Sequence, residues 1–159
     1  MKKRIIFVLL FLSIVSFAFG AQSVSTVIQG VVPEMLTVAT DMTAATNIDI
    51  FNSTSTILGY INIFSNRVGT WTITIASTNG GAMAGISSGN RDRYPYTLKF
   101  GTIENISLAT PFVFDASGKT TSEGSRFALG IDYQNFWDLT TPISPDTYRD
   151  TITVTISAT

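Results

Sequence analysis

The chain has 159 residues, of which 45% are hydrophobic, enough for one domain built around an apolar core. It contains neither histidine nor cysteine, which removes the usual general base, the thiol nucleophile, the standard zinc ligands and any disulfide. Ten basic residues stand against eleven acidic ones, so no basic excess is present to attract nucleic acid.

The N-terminal segment is typical of a secretory signal peptide. A basic head at positions 2–4 precedes an apolar run at 5–19, and Ala18-Phe19-Gly20 places small residues before Ala21. We therefore predict that residues 1–20 are cleaved and that the protein is exported to the periplasm, the cell surface or the medium. The alternative is an uncleaved membrane anchor, but the apolar run of about 15 residues is shorter than the ~20 that span a bilayer. No second long apolar stretch follows, so we predict no integral membrane span in the mature chain.

Residues 21–159 are predicted to form a single domain. Cleavage would remove three basic residues and no acidic one, leaving seven against eleven, a net charge of about −4. A domain of this size buries about two thirds of its unfolded surface. Because it has no cysteine, an exported domain of this kind must be held together by its apolar core or by strands that a neighbour supplies.

Short β-rich segments predict an all-β fold. No segment repeats apolar residues at helical spacing, and eight segments are rich in β-branched and aromatic residues. These segments are 24–32, 47–51, 57–64, 70–76, 94–100, 112–114, 127–131 and 148–157. Together they predict an Ig-like antiparallel β-sandwich of about seven to eight strands.

Two of these segments alternate most clearly. In 70–76, Trp71, Ile73 and Ile75 share one face, which predicts that they point into the core. The last segment alternates apolar and hydroxyl side chains, so one of its faces is expected to be buried. The apolar members are Ile152, Val154 and Ile156, and the hydroxyl members are Thr151, Thr153 and Thr155.

Carboxylates are the remaining candidates for catalysis or metal binding. The densest acidic cluster is Asp132, Asp138, Asp146 and Asp150, all in or beside predicted loops. Paired acids can hydrolyse glycosides, and with Asn135 these acids could hold calcium. However, no buried setting that would raise a pKa is apparent, and the spacing follows no calcium-loop pattern. We therefore predict no enzyme activity, no catalytic residue, no metal site and no cofactor.

Three aromatic residues after the segment 127–131 form a candidate ligand loop. Tyr133, Phe136 and Trp137 could stack on a sugar ring or a partner protein if they are exposed. The alternative, which the sequence favours, is that Phe136 or Trp137 folds over the open end of the sandwich as a plug.

The segment after Pro145 resembles the closing strand of bacterial spore-coat-U-like and fimbrial (pilin) subunit domains. Those strands often read as proline, glycine, any residue, tyrosine, any residue, aspartate, threonine and then alternating β-branched residues. The matching positions here are Tyr148, Asp150, Thr151, Ile152, Val154 and Ile156. Segment 58–73 resembles the mid-domain hairpin of the same family, and Tyr94-Pro95-Tyr96 resembles its aromatic-proline-tyrosine strand. Asp146 stands where the family has glycine, and the cysteine pair common in these subunits is absent.

This resemblance implies a secreted structural or adhesive subunit of a pilus or surface coat. Its partners would be like subunits, or a periplasmic chaperone and an outer-membrane assembly platform. In such assemblies an incomplete sandwich leaves a groove, which the N-terminal strand of a neighbour fills. An alternative function is a monomeric exported Ig-like binding module for a glycan or for an envelope or host protein.

The candidate donor strand for such an assembly is the segment 21–32. Its assembly residues would be Val24, Thr26, Ile28 and Val32, while Val27, Gln29 and Val31 form the opposite alternation. The alternative is that this segment is the domain's own first strand.

Overall fold

The computed structural model describes residues 25–158. Contacts divide the chain into two compact units, 1–32 and 33–159. Within the first unit, residues 25–32 are exposed and form neither helix nor strand, so the strand expected over 24–32 is absent from its described part. An isolated strand has no partner for its backbone N–H and C=O groups, which explains why β-propensity alone does not form one. The predicted signal peptide at 1–20 and the donor residue Val24 lie outside the described residues.

Ten strands and one single-turn 3₁₀ helix make up the regular structure of residues 33–158. The strands are β1 Leu36–Thr40, β2 Ser55–Ser65, β3 Thr70–Ser77, β4 Ala82–Gly85, β5 Arg93–Phe100, β6 Ile103–Ile106, β7 Phe112–Ser117, β8 Ser125–Tyr133, β9 Tyr148–Arg149 and β10 Ile152–Ala158. The 3₁₀ helix spans Phe136–Asp138. Among the residues described, no helix has the length and apolar character needed to cross a membrane.

The strands form two antiparallel sheets. The larger sheet has the order β1-β2-β8-β5-β4-β9, with β6 also paired to β5, and the smaller sheet has the order β10-β3-β7. Side chains from both sheets belong to one apolar core. This arrangement confirms the predicted all-β class and is that of an antiparallel sandwich.

The core contains the residues that strand alternation predicted. Trp71, Ile73 and Ile75 are all buried, and the indole Nε1 of Trp71 donates a hydrogen bond to the Gly118 carbonyl oxygen at 3.2 Å. Ile61 and Leu129 of the larger sheet are fully buried as well. The inner faces of the two sheets therefore pack against each other along β3.

Segment 47–51, expected to be a strand, is a loop. The Asp49 carboxylate accepts hydrogen bonds from the backbone N–H groups of Phe51 and Asn52, both at 3.0 Å. An aspartate that bonds the backbone two and three residues ahead favours a turn over a strand. The β-rich composition of the segment is overridden by this local turn.

The predicted strand 148–157 is two strands, β9 and β10. β9 pairs with β4 in the larger sheet, whereas β10 pairs with β3 in the smaller one. The break falls at Asp150 and Thr151, where the Asp150 carboxylate accepts a hydrogen bond from the Thr151 N–H at 2.7 Å. The chain therefore changes sheet within the motif that carries the family resemblance.

Candidate functional site

An open groove leads into the core of the sandwich and has a volume of about 760 Å³. Its walls are the loop 42–50 on one side and the segment 146–152 on the other. Its floor consists of Leu58, Met83, Tyr94, Tyr96, Leu129 and Ile131. All six floor residues pack in the apolar core or against it. Five of the six are at most 8% exposed, so the apolar surface still open in the groove belongs to half-buried residues such as Ile48, Leu58 and Ile152.

One free sheet edge contributes to this groove, that of β10, whose Ile152 belongs to the lining. β1 pairs only with β2, and β10 pairs only with β3, among the residues that the structure describes. β1 and β10 lie beside each other but belong to different sheets. β10 has one side without a neighbouring strand, so it is the edge at the groove that can accept a further strand.

The closing-strand motif forms one wall of the groove. Tyr148 lies in β9, lines the groove and donates a hydrogen bond from its hydroxyl to the Ser144 carbonyl oxygen at 2.7 Å. Ile152, Val154 and Ile156 are half-buried and alternate with exposed residues along β10. Their partial burial, beside the buried Trp71, Ile73 and Ile75 of β3, indicates that the apolar face continues to an edge that nothing in residues 33–158 fully covers.

Asp150 ties this wall to the rest of the sandwich. Its carboxylate accepts hydrogen bonds from the Ser77 hydroxyl at 2.5 Å, the Tyr96 hydroxyl at 2.7 Å and the Asn79 N–H at 3.0 Å, besides the Thr151 N–H. Burial, reinforced by the bond to Asp150, raises the pKa of Tyr96 well above its ordinary value. Asp150 therefore acts as a structural acceptor that connects β3, β5 and the start of β10.

Asp146 fixes the other end of the wall. Its carboxylate accepts hydrogen bonds from the Ser87 N–H and hydroxyl at 3.0 and 2.7 Å, and from the Asn90 amide at 2.7 Å. These bonds, led by the Ser87 N–H, lower the pKa of Asp146 to about 2. Gly85 makes room for the cluster, because a Cβ there would collide with the Asn90 amide and lie 2.7 Å from the carboxylate.

The low pKa of Asp146 predicts an acid-sensitive wall. Because the folded-state pKa lies below the ordinary value of 3.8, the stabilisation from Asp146 is present above pH 3.8 and is lost as the pH falls towards 2. Asp146→Asn should therefore show a shallower fall in melting temperature between pH 4 and about 2 than the unmodified protein. Equal slopes for the two proteins over this range would contradict the role assigned to Asp146.

Three of the four acidic residues singled out from the sequence bond to different partners in the structure. Asp132 forms an ion pair with Lys99 at 3.0 Å, whereas Asp146 and Asp150 accept the bonds described above. Asp138 is exposed at the end of the 3₁₀ helix. No group of three or more acidic side chains suited to hold a metal ion occurs within residues 25–158.

The candidate donor residues are exposed where they are described. Ile28 is 93% exposed and Val32 is 83% exposed, and Thr26 is exposed as well. Val27 and Val31, on the opposite alternation, are similarly open at 89% and 84%. Both faces of segment 25–32 therefore present apolar side chains to water.

The candidate ligand loop has different members from those expected. Tyr133 is buried at the end of β8, and its hydroxyl lies 2.9 Å from that of Thr56. Phe136 is half-buried, while Trp137 is 75% exposed. Phe51, which sequence reasoning did not include, is 47% exposed and its ring centroid lies 4.9 Å from that of Phe136. We call Phe51, Phe136 and Trp137 the aromatic patch.

No protein-family model matches this chain, and no curated protein is significantly similar to it. Fold and site geometry therefore define the class of the protein. It is an antiparallel β-sandwich with a larger and a smaller sheet, an open groove at the edge of β10, and a separate exposed aromatic patch.

Proposed function

We propose that this protein is an exported structural or adhesive subunit of a bacterial pilus or surface coat, whose copies assemble by β-strand complementation. The single observation that carries the proposal is the groove that opens beside the free edge of β10. A strand laid there would gain backbone hydrogen bonds from a sheet edge and would cover half-buried apolar side chains such as Ile48, Leu58 and Ile152.

The chemistry of the groove suits a β-strand with alternating apolar side chains. Its half-buried lining includes the aliphatic side chains of Ile48, Leu58 and Ile152, and Tyr148 adds aromatic surface. Each valine or isoleucine side chain that leaves water for such a site contributes about 1.5 to 3 kcal/mol. Two or three inserted side chains, together with a hydrogen-bond ladder, would therefore hold a neighbour firmly.

Segment 21–32 is the donor that best fits this groove. In its described part, Ile28 and Val32 occupy one alternation and are almost fully exposed. Contiguous exposed apolar residues of this kind mark interaction surfaces in soluble proteins. We assign Val24, Thr26, Ile28 and Val32 as the inserting face, in a neighbouring copy of the same chain.

A structural role also agrees with how the acidic side chains are used. The carboxylates of Asp146 and Asp150 accept hydrogen bonds that hold the groove wall in place. Carboxylates that accept several hydrogen bonds from the protein stabilise a scaffold. The family resemblance of the closing strand supports the same conclusion.

The test is a denaturing gel of the full chain exported by a bacterial host, run with and without boiling. We expect a ladder of multiples that collapses to a monomer on heating, because interlocked strands resist detergent at room temperature. Ile28→Asp together with Val32→Asp should abolish the ladder, since two charges would enter an apolar groove. The matched control, Val27→Asp with Val31→Asp, adds the same charge on the opposite face and should keep it. Loss of the ladder in the control alone, or a monomer in every lane, would overturn the proposal.

A second candidate function is a monomeric exported module that binds a glycan or an envelope or host protein. The observation that favours it is the exposure of Trp137 and Phe51. A single monomer band in both lanes, with a monomeric mass in solution, would leave this as the function to pursue.

A further inference from the structure

We propose that the aromatic patch is a binding site for a neutral saccharide, which stacks on the exposed ring of Trp137 with Phe51 beside it. The inference takes up the glycan binding of the second candidate function and names its ligand class. It does not depend on the proposed assembly, because the groove is lined by other residues. It would hold for a polymerised subunit and for a monomer alike.

The three rings form one continuous surface. The centroid of the Trp137 ring lies 5.3 Å from that of Phe136 and 5.8 Å from that of Phe51. Phe136 lies half-buried between them and core-facing neighbours, while the other two rings face water. An exposed aromatic face carries negative charge density, which attracts the weakly positive C–H groups of a pyranose ring.

The patch is held in place by a set of hydrogen bonds between its two loops. The Asn135 amide donates to the Phe51 carbonyl oxygen at 2.7 Å, and the Phe136 N–H donates to the Ile50 carbonyl oxygen at 2.8 Å. The Asn135 side-chain oxygen also accepts from the Trp137 N–H at 3.0 Å and caps the 3₁₀ helix. These bonds fix the backbone that carries each ring. Binding of a ligand therefore costs little additional conformational entropy.

The charge of the segments that carry the patch indicates which kind of sugar it can bind. Segments 49–52 and 134–138, which carry the patch, contain two aspartates and no basic residue. The Asp138 carboxylate, next to Trp137 in sequence and exposed, can accept hydrogen bonds from sugar hydroxyl groups. An anionic or sulfated sugar would meet only negative charge, so the site favours an uncharged saccharide.

The size of the patch argues for a saccharide and against a protein. A stable protein interface buries about 800 Å² on each partner. Three aromatic side chains, one of them half-buried, offer much less than that, whereas one or two sugar rings need no more than a ring-sized platform.

The experiment titrates the full exported chain with neutral oligosaccharides selected on a glycan array that also carries sialylated and sulfated glycans. The chain has two tryptophans, of which Trp71 is buried and Trp137 exposed, so a change in tryptophan fluorescence shows that the unmodified protein binds at the patch. Isothermal titration calorimetry measures the affinity of this protein and of every variant, because the Trp137 variants lack the exposed fluorophore. We expect binding to neutral glycans, a loss of at least tenfold in affinity for Trp137→Ala, and retained binding for Trp137→Phe. A matched control is Val68→Ala, which removes an exposed apolar side chain in the turn between β2 and β3.

Three outcomes of this experiment would overturn the inference. Binding to acidic glycans only, binding that Trp137→Ala leaves unchanged, or no binding to any neutral glycan would each refute it. A change in oligomeric mass caused by Trp137→Ala without sugar would show instead that the patch is a contact between copies. Because Trp137 is exposed, the variants should keep the melting temperature of the parent, and this measurement separates lost binding from lost folding.

Discussion

Replacing Phe100 by alanine is expected to lower the free energy of unfolding by about 3 to 5 kcal/mol. Phe100 is only 1% exposed and stacks on Phe127 of β8 with ring centroids 4.8 Å apart. It also contacts Phe114 at 5.3 Å and Phe112 at 6.1 Å, both on β7 of the other sheet. Truncation therefore removes contacts within one sheet and between the two sheets at once, and leaves a cavity behind.

Equilibrium unfolding in urea, followed by circular dichroism, measures this loss. Phe100→Leu should retain part of the stability, because it fills most of the space without the ring contacts. Val113→Ala serves as the control, since Val113 lies on β7 but is 53% exposed and its change should stay below about 0.5 kcal/mol. A loss of less than about 1 kcal/mol for Phe100→Ala would mean that the aromatic cluster does not join the sheets.

Asp150→Ala should destabilise the protein by about 3 kcal/mol, the second largest effect that we expect. Four donors lose their acceptor in this variant, among them the hydroxyl of Tyr96, a residue that is only 7% exposed. A donor left unsatisfied away from water costs more than the net gain of the bond it formed. The effect should therefore exceed that of removing any one of the four donors.

The same urea experiment tests this prediction with graded variants. Asp150→Asn keeps one acceptor oxygen and should lose about 1 to 2 kcal/mol, while Tyr96→Phe, which deletes one donor, should lose about 1 kcal/mol. Glu123→Ala is the control, because Glu123 is an exposed acidic residue in the loop between β7 and β8. If Asp150→Ala behaved like Glu123→Ala, the closing-strand motif would lack the anchoring role assigned to its aspartate.

Strands with a strong two-sided pattern were predictable from the sequence. In β3, three apolar residues alternate with threonines, and the structure buries that face completely. β1, β4 and β6 were missed, because each has only four or five residues and a weak or interrupted alternation. Short strands of this kind form when a longer neighbour offers them an edge, which is tertiary information.

Local turn chemistry explains two further differences. The carboxylate of Asp49 converts a β-rich segment into a loop, and that of Asp150 divides one predicted strand between two sheets. Both residues were visible in the sequence, but their partners were not. An aspartate that bonds the backbone just ahead of it is a usable signal for such breaks.

The aromatic patch was only partly predictable. Trp137 and Phe136 were singled out as neighbours in sequence, whereas Phe51 joins them from a distant loop. Tyr133 was assigned to the loop because β8 extends further than its apolar run suggested. Its side chain therefore faces inward, where its hydroxyl meets Thr56.

The most direct test of the central claim is a crosslink between the donor segment and the groove of another copy. The chain has no cysteine, so the double variant Ile28→Cys/Ile152→Cys carries only one thiol on the segment and one in the groove wall. After export and treatment with a short bismaleimide, a denaturing gel separates links between chains from links within one chain. Strand complementation predicts covalent dimers and higher multiples that survive boiling. An internally linked monomer, or no link at all, would contradict it.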